Sequence, residues 1–241
     1  MASALCCNEL TVTQLDPCLS RYATPFAEDG TPLPVGTLRI CHPLILNTKD
    51  PLRPILVEPG GEGHANWKLA RARAQLARLE QQGDWNEAIL AHTTAHRLAA
   101  LEKYAQTLDD ERYWRLVAFV WIEDVSPNAS GLQRWLRVLK SPRPGRVAMM
   151  SYEEHRKLGS LPDVVRVFRG FDCEGGQFGL SWTLCRHVAD RFARPGSGPA
   201  PANVAEGQID REAIIALLLD KDEAEVVANS EDVRIGAVSP A

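Results

Sequence analysis

The sequence predicts an α+β protein, helices first and strands after, on three observations. Residues 64–159 carry apolar side chains at helical spacing in five runs, broken by a glycine, capping residues or prolines. After Pro162 the apolar residues fall instead into short β-rich runs separated by turn residues. The two patterns are segregated along the chain rather than alternating, which favours α+β over a parallel α/β sheet.

Taken in order, residues 1–63 are rich in Pro, Gly and Thr, as in "AEDGTPLPVGT". They read as an irregular arm with one or two short strands, "TLRICHPLIL" among them. A helical region over 64–146 follows. "NWKLARARAQLARLEQQ" spaces Trp67, Leu69, Ala72, Leu76 and Leu79 for one face, and Gly83 ends it. Asp84 with Glu87 three residues on forms a capping box for a second helix, "NEAILAHTTAHRLAALEKYAQTL". The two make a helical hairpin. "DDERYWRLVAFVWIEDV" and "SGLQRWLRVLK" are the third and fourth helices, the latter stopped by "SPRPG". The C-terminal part, 147–241, opens with the short helix "SYEEHRKLG", capped by Ser151 with Glu154. Strands are expected at "VVRVF", "GLSWT", "NVAEGQI", "AIIALLL" and "EAEVVA", with a helix "LCRHVADRFA" after the second.

The 241 residues suffice for a buried core, and 45% apolar with 24% charged residues is ordinary for a soluble protein. The net charge is −4, and residues 163–235 hold 8 Lys/Arg against 13 Asp/Glu. That balance argues against a nucleic-acid surface. No cationic and apolar leader opens the chain and no run reaches membrane-span length, so a cytoplasmic protein without membrane contact is expected. The six cysteines show no metal-type spacing and read as free thiols.

Three features of the C-terminal part stand in one order. Arg169 ends a strand beside Gly170, which gives an always-charged fork next to backbone that a ligand can approach. Ser181 and Thr183 are two apart on a strand, so both hydroxyls point to one face and Trp182 to the other. Glu223 and Glu225 have the same spacing on "EAEVVA". An arginine for phosphate, hydroxyls, and carboxylates for a ribose suit a phosphorylated sugar that loses its leaving group through an oxocarbenium-like transition state.

Arg, then Ser-x-Thr, then Glu-x-Glu resembles the Arg-Ser-Glu class of mono-ADP-ribosyltransferases, compact bacterial and phage proteins in particular. The resemblance covers residues 147–235 and implies a split, curved β-sandwich around a cleft for NAD, the substrate. It implies that Arg169 binds the NAD phosphates, Gly170 the nicotinamide carboxamide, and Ser181 orients the site with Thr183 beside it. It implies Glu225 as the catalytic acid on the ribose 2′-hydroxyl and Glu223 as the group that activates an acceptor. That acceptor would be a macromolecule, a protein arginine by the Glu-x-Glu pair. Phe178, Phe171 and Trp182 are the aromatic candidates for the nicotinamide ring, and the loop "ARPGSGPAPA" offers none. NAD hydrolysis and a non-catalytic helical interaction module are the alternative readings.

Other signals carry less. His92 and His96 in "HTTAH" are an i, i+4 pair without a third ligand, read as packing, and no metal is expected. "PGGEGH" lacks the Lys-Ser/Thr of a phosphate loop and reads as a linker. The arginines at 71, 73 and 78 read as a solvated face.

Overall fold

The computed structural model describes residues 14–44, 54–123, 131–193 and 202–241, the Lys221 side chain excepted. Cys6 and Cys7, two of the six cysteines read as free thiols, and the loop residues 194–201 fall outside them. The chain is α+β with antiparallel sheets and divides into two compact units, 1–100 and 101–241. No helix of the described residues is long and apolar enough to cross a membrane.

In the first unit the expected irregular arm forms a small sheet of its own. A one-turn helix α1 (Pro17–Ser20) precedes strands β1 (Ala23–Thr24), β2 (Leu38–Ile40) and β3 (Ile55–Val57), paired antiparallel in that order. Helix α2 (Glu62–Gln82) packs Ala65 and Leu69 onto Leu19, Ile40, Ile55 and Val57, which makes the arm a core rather than an appendage. Gly83 ends α2 in the left-handed conformation, at φ +68°. The Asp84 carboxylate then accepts the Glu87 N–H and starts α3 (Trp85–Leu90).

The single helix expected over 86–108 is two. The chain breaks after α3 and restarts as α4 (Thr94–Tyr104), across which the division between the units falls. At the break the buried His92 donates from Nδ1 to the Ala88 carbonyl (2.8 Å), and Thr93 Oγ1 bonds His96 Nδ1 (2.7 Å). Local side-chain bonds of this kind compete with helix continuation. His92 and His96 therefore do not share a helical face.

In the second unit α5 (Asp110–Glu123) buries Tyr113, Trp114, Leu116, Val117, Val120 and Trp121, and α6 (Leu132–Leu139) meets it through Trp135. The Trp121 and Trp135 rings meet edge to face at 4.9 Å. Helix α7 (Tyr152–Gly159) has both bonds of its capping box, Ser151 to the Glu154 N–H and Glu154 to the Ser151 N–H. A six-stranded antiparallel sheet follows. Its strands are β4 (Val164–Phe171), β5 (Ser181–Thr183), β6 (Asn203–Asp210), β7 (Ala216–Leu218), β8 (Glu225–Val227) and β9 (Arg234–Pro240), in the order β7-β8-β5-β4-β6-β9. Val165, Val167, Phe171, Trp182, Ile209, Leu217 and Val226 form its main core. Helix α8 (Arg186–Ala193), between β5 and β6, packs Ala189 and Ala193 against Phe168 and Val204.

Candidate active site

Sheet order makes neighbours of three strands far apart in sequence: β4 with Arg169, β5 with Ser181 and Thr183, and β8 with Glu225. The register pairs Thr183 with Glu225 and Trp182 with Val226. Side chains directly opposite share a face, so Thr183, Ser181 and Glu225 stand together while Trp182 and Val226 enter the core. Trp182 is 1% exposed and its indole N–H donates to the Gly179 carbonyl at 3.0 Å.

Strands β4 and β6 are joined through eight register pairs, whereas β4 meets β5 at Phe168↔Thr183 alone among the described residues. Arg169 and Gly170 lie just past that single pair. A cavity of about 290 Å³ is lined there by Arg169, Gly170, Ser181, Thr183, Glu223 and Glu225, with the aromatic residues Phe168, Phe171, Trp182 and Phe192 also among its lining.

The Arg169 guanidinium is fixed by two carbonyls, from Nε to Gly176 (2.7 Å) and from Nη1 to Ser181 (2.6 Å). Among the described residues it has no carboxylate within ion-pair range. Burial pushes its pKa down, and the nearby Cys173 and Glu225 oppose that. A buried cation held by neutral dipoles favours an anion beside it.

Gly179 explains part of this pose. Its backbone is not left-handed, at φ −83°. Its glycine is required because a Cβ there would stand 2.1 Å from Arg169 Cζ and Nη2. Gly170 serves a different neighbour: a Cβ would stand 2.0 Å from the Ala189 carbonyl oxygen, so the backbone that approaches its Cα is that of α8. The residue still lines the cavity.

The Ser181 hydroxyl donates to Glu225 Oε1. The Trp121 side chain of α5 also hydrogen-bonds the Glu225 carboxylate. Burial pushes the Glu225 carboxyl above its ordinary range. The Ser181 and Trp121 bonds oppose that, Glu223 adds to it, and Arg169 opposes it.

Thr183 has a structural assignment instead of a ligand-facing one. Its hydroxyl donates to the Glu223 carbonyl (2.6 Å) and accepts the Cys185 N–H (3.1 Å) at the entry to α8. Glu223 departs from the sequence expectation in conformation: β8 begins at Glu225, and Glu223 lies in a turn with helical φ/ψ. Asp222 and Ala224 flank it with positive φ, +56° and +43°. Such values in non-glycine residues cost on the order of 1–3 kcal/mol each and concentrate at functional sites. The carboxylate nevertheless reaches the cavity and pairs with Arg191 Nη2 at 3.6 Å.

Phe178 is half exposed and outside the cavity lining, so it does not stand where a ring-holding residue is needed. Phe192, one residue beyond Arg191 on α8, lines the cavity and is 56% exposed. Helical spacing groups Phe192 with Val188, Ala189 and Ala193 on one side of α8, a pattern that reads as core and hides its place at the cavity. Sequence reasoning missed Trp121 as well, because a tryptophan at helical spacing reads as core. Comparison of the chain with protein-family models, with curated proteins and with solved structures finds no match.

Proposed function

We propose that this chain is a mono-ADP-ribosyltransferase of the Arg-Ser-Glu class. It would cleave the nicotinamide–ribose bond of NAD and transfer ADP-ribose to a macromolecular acceptor, a protein arginine. The observation that carries the reading is the meeting of Arg169, Ser181 and Glu225 on adjacent strands at one cavity, with the Ser181 hydroxyl bonded to the Glu225 carboxylate. The parting of β4 from β5 at the cavity supports the split, curved sheet that belongs to this reading.

The residues present fit NAD. Arg169 offers a buried positive charge to the pyrophosphate, and Phe171 and Phe192 offer aromatic surface to the nicotinamide. As the glycosidic bond lengthens, positive charge develops on the ribose and the nicotinamide leaves neutral. The Glu225 carboxylate, hydrogen-bonded to the 2′-hydroxyl, is placed to stabilise that charge in a site of low dielectric. Ser181 and Trp121 keep the carboxylate aimed and favour its ionised form.

The test is nicotinamide release from NAD by the purified full chain, with the adenine part labelled and a cell lysate supplied as acceptor. Release with label bound to protein is the expected result. Release with all label left as free ADP-ribose would show hydrolysis instead, and no release from folded protein would remove the enzyme reading.

Two substitutions probe the parts. Gly179→Ala drives a methyl into Arg169 and forces its guanidinium off both carbonyls. It is expected to weaken NAD binding about tenfold or more, since one hydrogen bond to a charged group is worth roughly 1.5–3 kcal/mol. Calorimetric titration with NAD measures this, and unchanged affinity in a folded variant would contradict the assignment of Arg169. Trp121→Phe keeps a ring against Trp135 and removes the N–H that lowers the Glu225 pKa. The carboxyl then rises further, so the acid limb of the rate profile moves to higher pH. An unmoved limb would detach Trp121 from the site.

A further inference from the structure

We propose that Arg191 is the chain's own ADP-ribose acceptor, modified in cis at the guanidinium that rests on Glu223. The inference depends on the transferase reading above and names its first substrate. Several arginines of the second unit pair with acids: Arg166 with Glu206, Arg186 with Asp190, Arg211 with Asp163 and Arg234 with Asp210. None of those acids lines the cavity. Arg169 does line it but is held by two carbonyls. Arg191 alone among the described arginines pairs with a carboxylate that is part of the cavity wall, at 3.6 Å.

The pair is built to be rearranged. The Arg191 side chain is 60% exposed against 25% for Glu223, and an ion pair with one such exposed partner is worth roughly 0–1 kcal/mol. Turning the guanidinium from Glu223 toward a ribose held at Glu225 therefore costs little. Glu223 also answers the chemical obstacle: a guanidinium is protonated at any ordinary pH and must lose a proton to become a nucleophile. In the step, the bond between ribose C1′ and the nicotinamide nitrogen breaks and its electron pair goes to the departing ring. A guanidinium nitrogen of Arg191 forms the new C1′–N bond, and its proton passes to Glu223 and then to water. NAD supplies every atom transferred, and nothing is oxidised or reduced.

The experiment incubates the full chain with adenine-labelled NAD and no other acceptor, then maps the label by peptide mass. Label on Arg191 is expected, with a first-order rate constant unchanged over a roughly tenfold dilution, because tethered reactants meet in a unimolecular step. Glu223→Gln is expected to lower labelling relative to nicotinamide release by about a hundredfold, the scale of a lost general base. Nicotinamide release that depends on Glu225 but leaves Arg191 unlabelled would overturn the proposal and leave the transferase reading standing. A labelling rate constant that grows with protein concentration would overturn modification in cis. Absence of any nicotinamide release would overturn the transferase reading itself, and this inference with it.

Discussion

Glu225→Gln is expected to lower nicotinamide release from NAD by about 10²- to 10³-fold, the scale of one lost electrostatic stabiliser in a preorganised site. The amide oxygen can accept the Trp121 N–H, and the Ser181 hydroxyl, which donates or accepts, can meet the amide NH2, so the fold and the aim of the side chain are kept. What is lost is the negative charge that faces the developing oxocarbenium. Thermal stability is expected to respond in the opposite direction. The folded protein holds the Glu225 proton more tightly than the unfolded chain does, because burial raises the carboxyl above its ordinary value of 4.5. This favours the folded state below that value, and the advantage is lost as pH rises through the raised folded value. Above it the protein carries a buried charge that glutamine does not. The difference in melting temperature, variant minus parent, should therefore grow from acid to neutral pH and be positive at neutrality. Melts at both pH values alongside the release assay decide the matter. A variant that loses activity only because it unfolds would show a lower melting temperature at every pH.

That opposition between activity and stability also shows which parts of the site could be read from the chain. Alternation along "SWT" is a local property, and it correctly sends Trp182 to the core and Ser181 and Thr183 to the face they share with Glu225, where only the Ser181 hydroxyl reaches that carboxylate. The same rule misplaces Glu223, because the positive φ of Asp222 and Ala224 replaces the expected strand with a turn. Asp is among the residues that tolerate a left-handed backbone, but the Ala at 224 does not announce one. The glycine of "GLSWT" reads as a turn former, yet its conformation is extended and its requirement is the Arg169 side chain stacked on it. That is a contact between positions ten apart, invisible to any local pattern.

Helices were legible where one face is buried, as in α2 and α5. The break between α3 and α4 was not, since it depends on where the rings of His92 and His96 find partners. Strand β9 escaped notice because its residues are mostly exposed, so it has no period-two burial for the sequence to encode. Strand β2 falls within the expected "TLRICHPLIL", whereas β1 and β3, two and three residues long, are too short to show a period. Trp121 marks the limit most sharply. Its ring is core by every local criterion, and its N–H acts on a carboxylate on a strand a hundred residues away.

Gly170→Ala is expected to destabilise the second unit, where Gly179→Ala only displaces a side chain. Both glycines lie next to Arg169, and both would bring a new Cβ within 2.1 Å of another atom. The atoms met decide the outcome. At Gly179 they belong to the Arg169 guanidinium, which can rotate away at the cost of two hydrogen bonds. At Gly170 they are the backbone oxygen of Ala189 at 2.0 Å and the backbone nitrogen of Ala193 at 2.5 Å. Neither can move without lifting α8 from β4, which would open the contacts of Phe168, Ala189, Ala193 and Val204 to water. Overpacking of this kind costs about 3 kcal/mol, the upper end of its usual range. For a chain of this size that is a fall of roughly 6–12 °C in melting temperature. Nicotinamide release should fall with it, because α8 also carries Phe192 and Arg191 to the cavity. An alanine at 170 that left the melt unchanged would mean that α8 does not pack on β4 as described, and with it would go the wall of the site.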